Sequence, residues 1–180
     1  MLALPLSAAD PVNFQFEDQF EAKPELKALR GKVVILVYGD RKASDECRTL
    51  GEKLHVSFHP TAKDLKPGQA RQQPATDLPK VAAGKSPGVV VQAVACCGKM
   101  PALVKPLLRG QLVKASPEVP VWLDFNETMT THFGLTTGQA NVAVFDCEGR
   151  YRHRVSGTPT AAQMKELLQT VQNLRAEGVK

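Results

Sequence analysis

The chain predicts a three-layer α/β/α sandwich with a mixed central sheet, and three observations carry that expectation. Apolar runs at 33–38 and 89–95 are too short to span a membrane and apolar on both alternations, as in strands covered on both faces. A helical pattern follows each run, the order that joins parallel strands. Two more strand-like stretches, 141–147 and 151–155, flank the acidic-Gly turn Glu148-Gly149, so the sheet ends in an antiparallel hairpin before a terminal helix.

The elements follow in order. Residues 10–30 alternate at Phe14 and Phe16 and continue through Phe20 to Leu26 and Leu29, an entry strand or hairpin covering the sheet. The β-branched run Val33 to Tyr38 leads into a polar elbow and a helix over 44–58. There Ser44 is the expected cap, Asp45 and Glu46 complement the positive end of the dipole, and Cys47, Leu50, Leu54 and Phe58 share one face. Residues 59–88 hold five prolines and three glycines and read as a long irregular crossover, either mobile or a lid or partner surface. After the 89–95 strand, Pro101 opens a predicted helix with Leu103, Val104, Leu107, Leu108 and Leu112 inward, kinked or restarted at Pro106. Pro120 makes 119–123 an edge strand or a strand start, and Asn126 is the expected cap of a short helix through Met129 and Phe133. The last helix is the clearest, with Thr160 and Gln163 as a capping box and Met164, Leu167, Leu168, Val171 and Leu174 as its inner stripe.

Composition bounds the function. With 180 residues, 43% of them hydrophobic and 23% charged, 10–180 reads as a single domain with a long loop insertion at 59–88. The net charge of +5 comes from Lys and Arg scattered among acids, with only two Tyr and one Trp available to stack bases, so no nucleic-acid partner is expected. No run is long enough for a membrane span. Residues 1–9 read as the remnant of an export signal or as a flexible apolar arm. The small-x-small pattern before Asp10 favours export to a periplasm-like compartment, with a cytoplasmic location the alternative. No cofactor and no metal site is expected. His55 and His59 have helix-face spacing but no third ligand, and a helix end in solvent accounts for them.

Four cysteines, Cys47, Cys96, Cys97 and Cys147, are too few for a disulfide framework, and no CxxC pair occurs. Even so, GKVVILVYG before an elbow and helix, then VPVWLD, then FGLTTGQANVAVFDCEGRYRHRVSG and a terminal helix, resemble the redoxin branch of the thioredoxin-like superfamily, which includes peroxiredoxins. The resemblance covers roughly 29–174, interrupted by 59–88, and implies a thioredoxin-like sandwich. Thioredoxins of this kind carry CxxC where the strand meets the helix; that place holds Lys42, Ala43, Ser44 and Asp45. Their cis-proline position is Ala140, where a cis bond would cost ~3 kcal/mol and a trans bond is expected. Peroxiredoxins use a Pro-x-x-x-Thr/Ser-x-x-Cys elbow, whose spacing Asp40, Ser44 and Cys47 fit with Asp in place of Pro. Their activating arginine falls again on Ala140, leaving Arg41 or Arg48 as substitutes, while Asp45 and Glu46 oppose thiol ionisation.

Two functions follow from the resemblance. The first is a non-catalytic binding or accessory module lacking the CxxC dithiol, whose 59–88 loop and altered elbow meet a protein partner. The second is an atypical thiol oxidoreductase or peroxidase with Cys47 as nucleophile, Ser44 beside it, and Cys96 or Cys97 as resolving thiol. If the 33–38 and 89–95 strands are parallel neighbours, Cys96 or Cys97 could approach Cys47 and form a reversible disulfide. The alternative for Cys47 is a small apolar residue on the inner stripe.

Overall fold

A computed structural model describes residues 10–79 and 81–179; the signal-like 1–9 stretch lies outside the described residues. A six-stranded sheet runs in the order β1 (Glu17–Asp18), β4 (Trp122–Asp124), β3 (Val89–Cys96), β2 (Val33–Gly39), β5 (Asn141–Phe145), β6 (Tyr151–Ser156). Strands β2, β3 and β4 are parallel, while β5, β6 and β1 run antiparallel to their neighbours. Every residue of β2 is buried, as its unbroken apolar run requires of a central strand.

Alternation along β2 separates two cores. Val33, Ile35 and Val37 face helices α1 (Ser44–Phe58) and α5 (Ala161–Glu177), packing with Leu50, Leu54, Phe58, Met164, Leu167, Val171 and Leu174. Val34, Leu36 and Tyr38 face α4 (Thr128–Phe133) and the entry segment, packing with Phe16, Leu26, Met129, Phe133 and Phe145. The sandwich and its mixed sheet are those the sequence predicts. The entry segment does two jobs: Phe16 stacks on Trp122 at 5.2 Å, and β1 pairs with β4 at the sheet margin. Strand β4 is therefore interior, so Pro120 marks a strand start and not an edge. The capping box holds, with Thr160 accepting from the Gln163 N–H and Gln163 from the Thr160 N–H.

Four local expectations need correction. Asp40, not Ser44, caps the elbow: its Oδ1 accepts from the Lys42 and Ala43 N–H groups of a 3-10 turn that runs straight into α1. Asp124, not Asn126, caps α4, accepting from the N–H groups of Asn126, Thr128 and Met129, because the last residue of β4 reaches over the turn that Glu127 makes in the left-handed region. The helix predicted from Pro101 is α3 (Lys105–Ala115), begins later with Pro106 in its first turn, and buries none of its residues.

The fourth correction is the 59–88 crossover, which is tied down. It contains a 3-10 turn (Pro60–Ala62) and the short α2 (Pro67–Ala70). His59 is only 4% exposed, its ring nitrogens 2.9 Å from the Gln73 carbonyl and 3.1 Å from that of Val89. His55 stacks on it at 4.3 Å and meets the Ala70 carbonyl at 3.0 Å. This pair is a clasp and not a helix end in solvent. Arg71 donates to the Gln92 side chain at 2.9 Å. Arg175, 1% exposed, sends Nε to the Pro87 carbonyl at 2.7 Å and Nη2 to that of Thr76 at 2.8 Å. A buried guanidinium without a paired carboxylate is tolerable because these two carbonyls and the Gln172 side chain, which accepts from Nη1 at 2.9 Å, take its protons.

Candidate functional site

The carboxyl ends of β2, β3 and β4 lie side by side, and the elbow after β2 meets the loop that enters β5. The elbow stays tight because residue 39 is glycine: a β-carbon there would fall on the Cys47 sulfur. Asp40 caps the turn with one oxygen and with the other accepts the Gly138 N–H at 2.9 Å. Glu46, in the first turn of α1, accepts the Ala140 N–H at 3.0 Å and also the Thr158 hydroxyl. Asn141 shapes the same loop from within, donating to the Thr136 and Gln139 carbonyls at 2.7 and 3.0 Å. Two carboxylates thus join the elbow to the 136–140 loop through that loop's own N–H groups.

The sequence-predicted residues fall around this joint. Of the four positions matching CxxC, Lys42, Ser44 and Asp45 are exposed and Ala43 is buried. Ser44 is the first residue of α1. Ala140 is buried, and the described residues contain no cis peptide bond, as expected at that position. Cys47 sits half-buried on the α1–α5 side of the sheet, packed against that core. Burial pushes its thiol up to about 11, and the two charges that add to the rise, Glu46 and Asp40, are both negative. The Asn141 backbone, by hydrogen bonding, opposes the rise without overcoming it. Arg41 is exposed and Arg48 is turned to Asp45 at 3.2 Å, so neither supplies the missing cation.

Cys96 lies on the other face of the sheet, packed with the Tyr38 core, because it shares the alternation of Tyr38 and Val94 while Cys47 covers Gly39. The sheet therefore stands between Cys47 and Cys96, and the expected approach of these two thiols does not occur. Burial raises the Cys96 thiol, with Tyr38 opposing and Asp124 adding to the rise. Cys97 lies just past the end of β3, its sulfur 3.4 Å from the Ala95 carbonyl and its N–H bonded to the Asp124 carbonyl. Burial, Cys96 and Asp124 push its thiol up to about 12. All four cysteines are free. Cys147 stands apart at the β5–β6 turn, beside Gly178 at the end of α5.

Asp40 and Glu46 are the residues that sequence reasoning placed without seeing their role. Their partners lie 94 to 112 residues away, so no local pattern could reveal the joint. No three His, Cys, Asp or Glu side chains gather as a metal site among the described residues. A shallow groove of about 440 Å³ between α1 and α5, lined by Lys53, Met164, Lys165 and Leu168, holds no cysteine.

No protein-family model matches the chain, and no curated protein does. Solved structures do match. The pneumococcal exposed lipoprotein thioredoxin of Streptococcus pneumoniae is 15% identical with a TM-score of 0.56, covering 88% of this chain and 99% of its own. A thiol:disulfide interchange protein of the thioredoxin family from Chlorobium tepidum is 15% identical with a TM-score of 0.52, over 92% and 99%. A DsbF homologue from Corynebacterium diphtheriae is 13% identical with a TM-score of 0.54, over 94% and 91%. The chain has the thioredoxin-like fold.

Proposed function

We propose that this thioredoxin-like chain is a redoxin-type, non-catalytic binding or accessory module of an exported compartment, with the elbow and the 59–88 crossover as the surface a protein partner reads. The observation that supports this reading best is the setting of Cys47. The only thiol at the elbow is half-buried, faces two carboxylates and no cation, and is pushed up to about 11, a setting that disfavours the thiolate at neutral pH. A nucleophilic thiol needs the opposite surroundings. Export is supported by the small-x-small pattern before Asp10 and by the likeness to an exposed lipoprotein thioredoxin.

The test is thiol reactivity, residue by residue, in the native protein. After one equivalent of hydrogen peroxide and a sulfenic-acid trap, peptide mapping is expected to find Cys47, Cys96 and Cys97 unmodified, and alkylation to be complete only on unfolding. Stoichiometric sulfenylation of Cys47, with peroxide turnover that Cys47→Ser abolishes, would establish the thiol-peroxidase reading instead. A Cys47 disulfide to Cys96 or Cys97 after mild oxidation would do the same for a thiol oxidoreductase.

A further inference from the structure

Helix α3 turns cations inward beside the half-buried Leu108 and Leu112 and leaves other apolar side chains in the open. A surface helix ordinarily turns its apolar stripe to the core and its charges to water. Here Lys105 and Arg109, one turn apart, face the body of the protein: Lys105 pairs with Glu17 at 3.0 Å, and Arg109 pairs with Glu17 and, at 3.8 Å, with Glu21. Their side chains are 25% and 16% exposed, and Lys105 also lies over the Phe125 ring at 4.0 Å. Leu107, two residues out of phase with these cations, and Leu103, in the turn before the helix, point away, 65% and 94% exposed, with Val104 and Val113 also open. The ion pairs fix the rotation, so the leucines cannot roll inward without stripping Glu17 of its partners.

The segment's own charges have one sign, and with Lys105 and Arg109 taken up by Glu17 and Glu21 the cations left over are those at its ends. From Lys99 to Ala115 there are four cations and no acid, and Lys99 and Lys114 are exposed at either end of the aliphatic stretch. We propose that the 99–114 segment rests on an anionic bilayer, with Leu103 and Leu107 entering the headgroup layer and Lys99 and Lys114 meeting lipid phosphates. Basic residues bracketing an exposed apolar ridge are the chemistry of a membrane-surface contact. A second copy fits poorly, because it would bring the exposed Lys99 and Lys114 of both copies together with no acid of the segment between them. A protein partner would have to offer a groove, whereas Leu103 stands clear of every neighbour. The contact is peripheral, since no described helix is long and apolar enough to cross a membrane. It is independent of whether any thiol reacts.

The experiment is co-sedimentation of the full chain with phosphatidylcholine vesicles, with and without phosphatidylglycerol. Binding is expected only to the anionic vesicles and should weaken as salt rises. Leu103→Glu with Leu107→Glu should weaken it by about tenfold or more, and Lys99→Glu with Lys114→Glu by about fivefold per charge. All four side chains are exposed, so unchanged circular dichroism and melting will separate lost contact from lost fold. Absence of binding to anionic vesicles, or binding that both pairs of substitutions leave intact, would overturn the proposal. So would a leucine pair that alters sedimentation velocity without lipid, which would assign the ridge to self-association. Capture of an acidic amphipathic peptide with vesicles left unbound would overturn it in favour of a protein partner.

Discussion

Replacing Glu46 with alanine would open the joint between the elbow and the 136–140 loop. The substitution leaves the N–H of Ala140, a fully buried residue, without its acceptor at 3.0 Å. Stranding such a donor costs about 1 to 3 kcal/mol, and losing a carboxylate from the first turn of a helix adds about 0.5 kcal/mol. The Thr158 hydroxyl is exposed and adds little. The expected loss is about 2 kcal/mol, which for a urea slope of about 2 kcal/mol per M lowers the midpoint by about 1 M with the slope unchanged. Native-state hydrogen exchange should show Ala140 losing protection while Gly138, held by Asp40, keeps it. Glu46→Gln retains an acceptor and should lose only about half as much. Both variants should lower the Cys47 thiol from its raised value, since Glu46 is the larger of the two charges acting on it. An unchanged midpoint, or Gly138 and Ala140 exchanging together in Glu46→Ala, would refute the idea that two carboxylates hold the loop separately.

Two further predictions concern the crossover. Arg175→Met removes the protons that the Pro87 and Thr76 carbonyls accept and should cost about 3 kcal/mol in equilibrium unfolding, with faster exchange confined first to 76–88; a change spread evenly over the sheet would contradict the clamp. Burial, chiefly, with the stacked His55 ring, holds His59 below its ordinary value, so the unfolded chain takes up a proton that the folded chain refuses. Stability is then full above the unfolded value of 6.5 and falls as pH drops below it, and His59→Gln should flatten that fall between about pH 7 and pH 5. An identical slope in the variant would place the acid sensitivity elsewhere.

The sheet and its main helices were legible because their signals are local and periodic: the apolar run of β2, the Leu50, Leu54, Phe58 stripe, and the Thr160–Gln163 box all speak within one element. The caps at Asp40 and Asp124 escaped because a carboxylate at the end of a strand can outreach the hydroxyl or amide nearer the helix. The apolar period around α3 predicts an inward stripe and is met in part, by the half-buried Leu108 and Leu112, while Leu103 and Leu107 stay open; that the cations of the same helix find Glu17 and Glu21, some 90 residues earlier, is not written in the period. The separation of Cys47 from Cys96 follows from a parity that only strand register supplies. Sequence brought them to one edge of the sheet and could not say which side of it.

The joint at Gly138 and Ala140 also bears on how a partner would be met. An N–H held by a carboxylate of the same chain is in competition with any incoming carbonyl, and the internal acceptor enjoys an effective concentration that no dilute ligand matches. Two such donors are spoken for, by Asp40 and by Glu46. A partner approaching this edge would gain little by adding a strand to the loop's backbone. It would be recognised through what protrudes, the side chains of Arg41, Lys42, Ser44 and Asp45, on a platform whose loop is already hydrogen-bonded to the elbow.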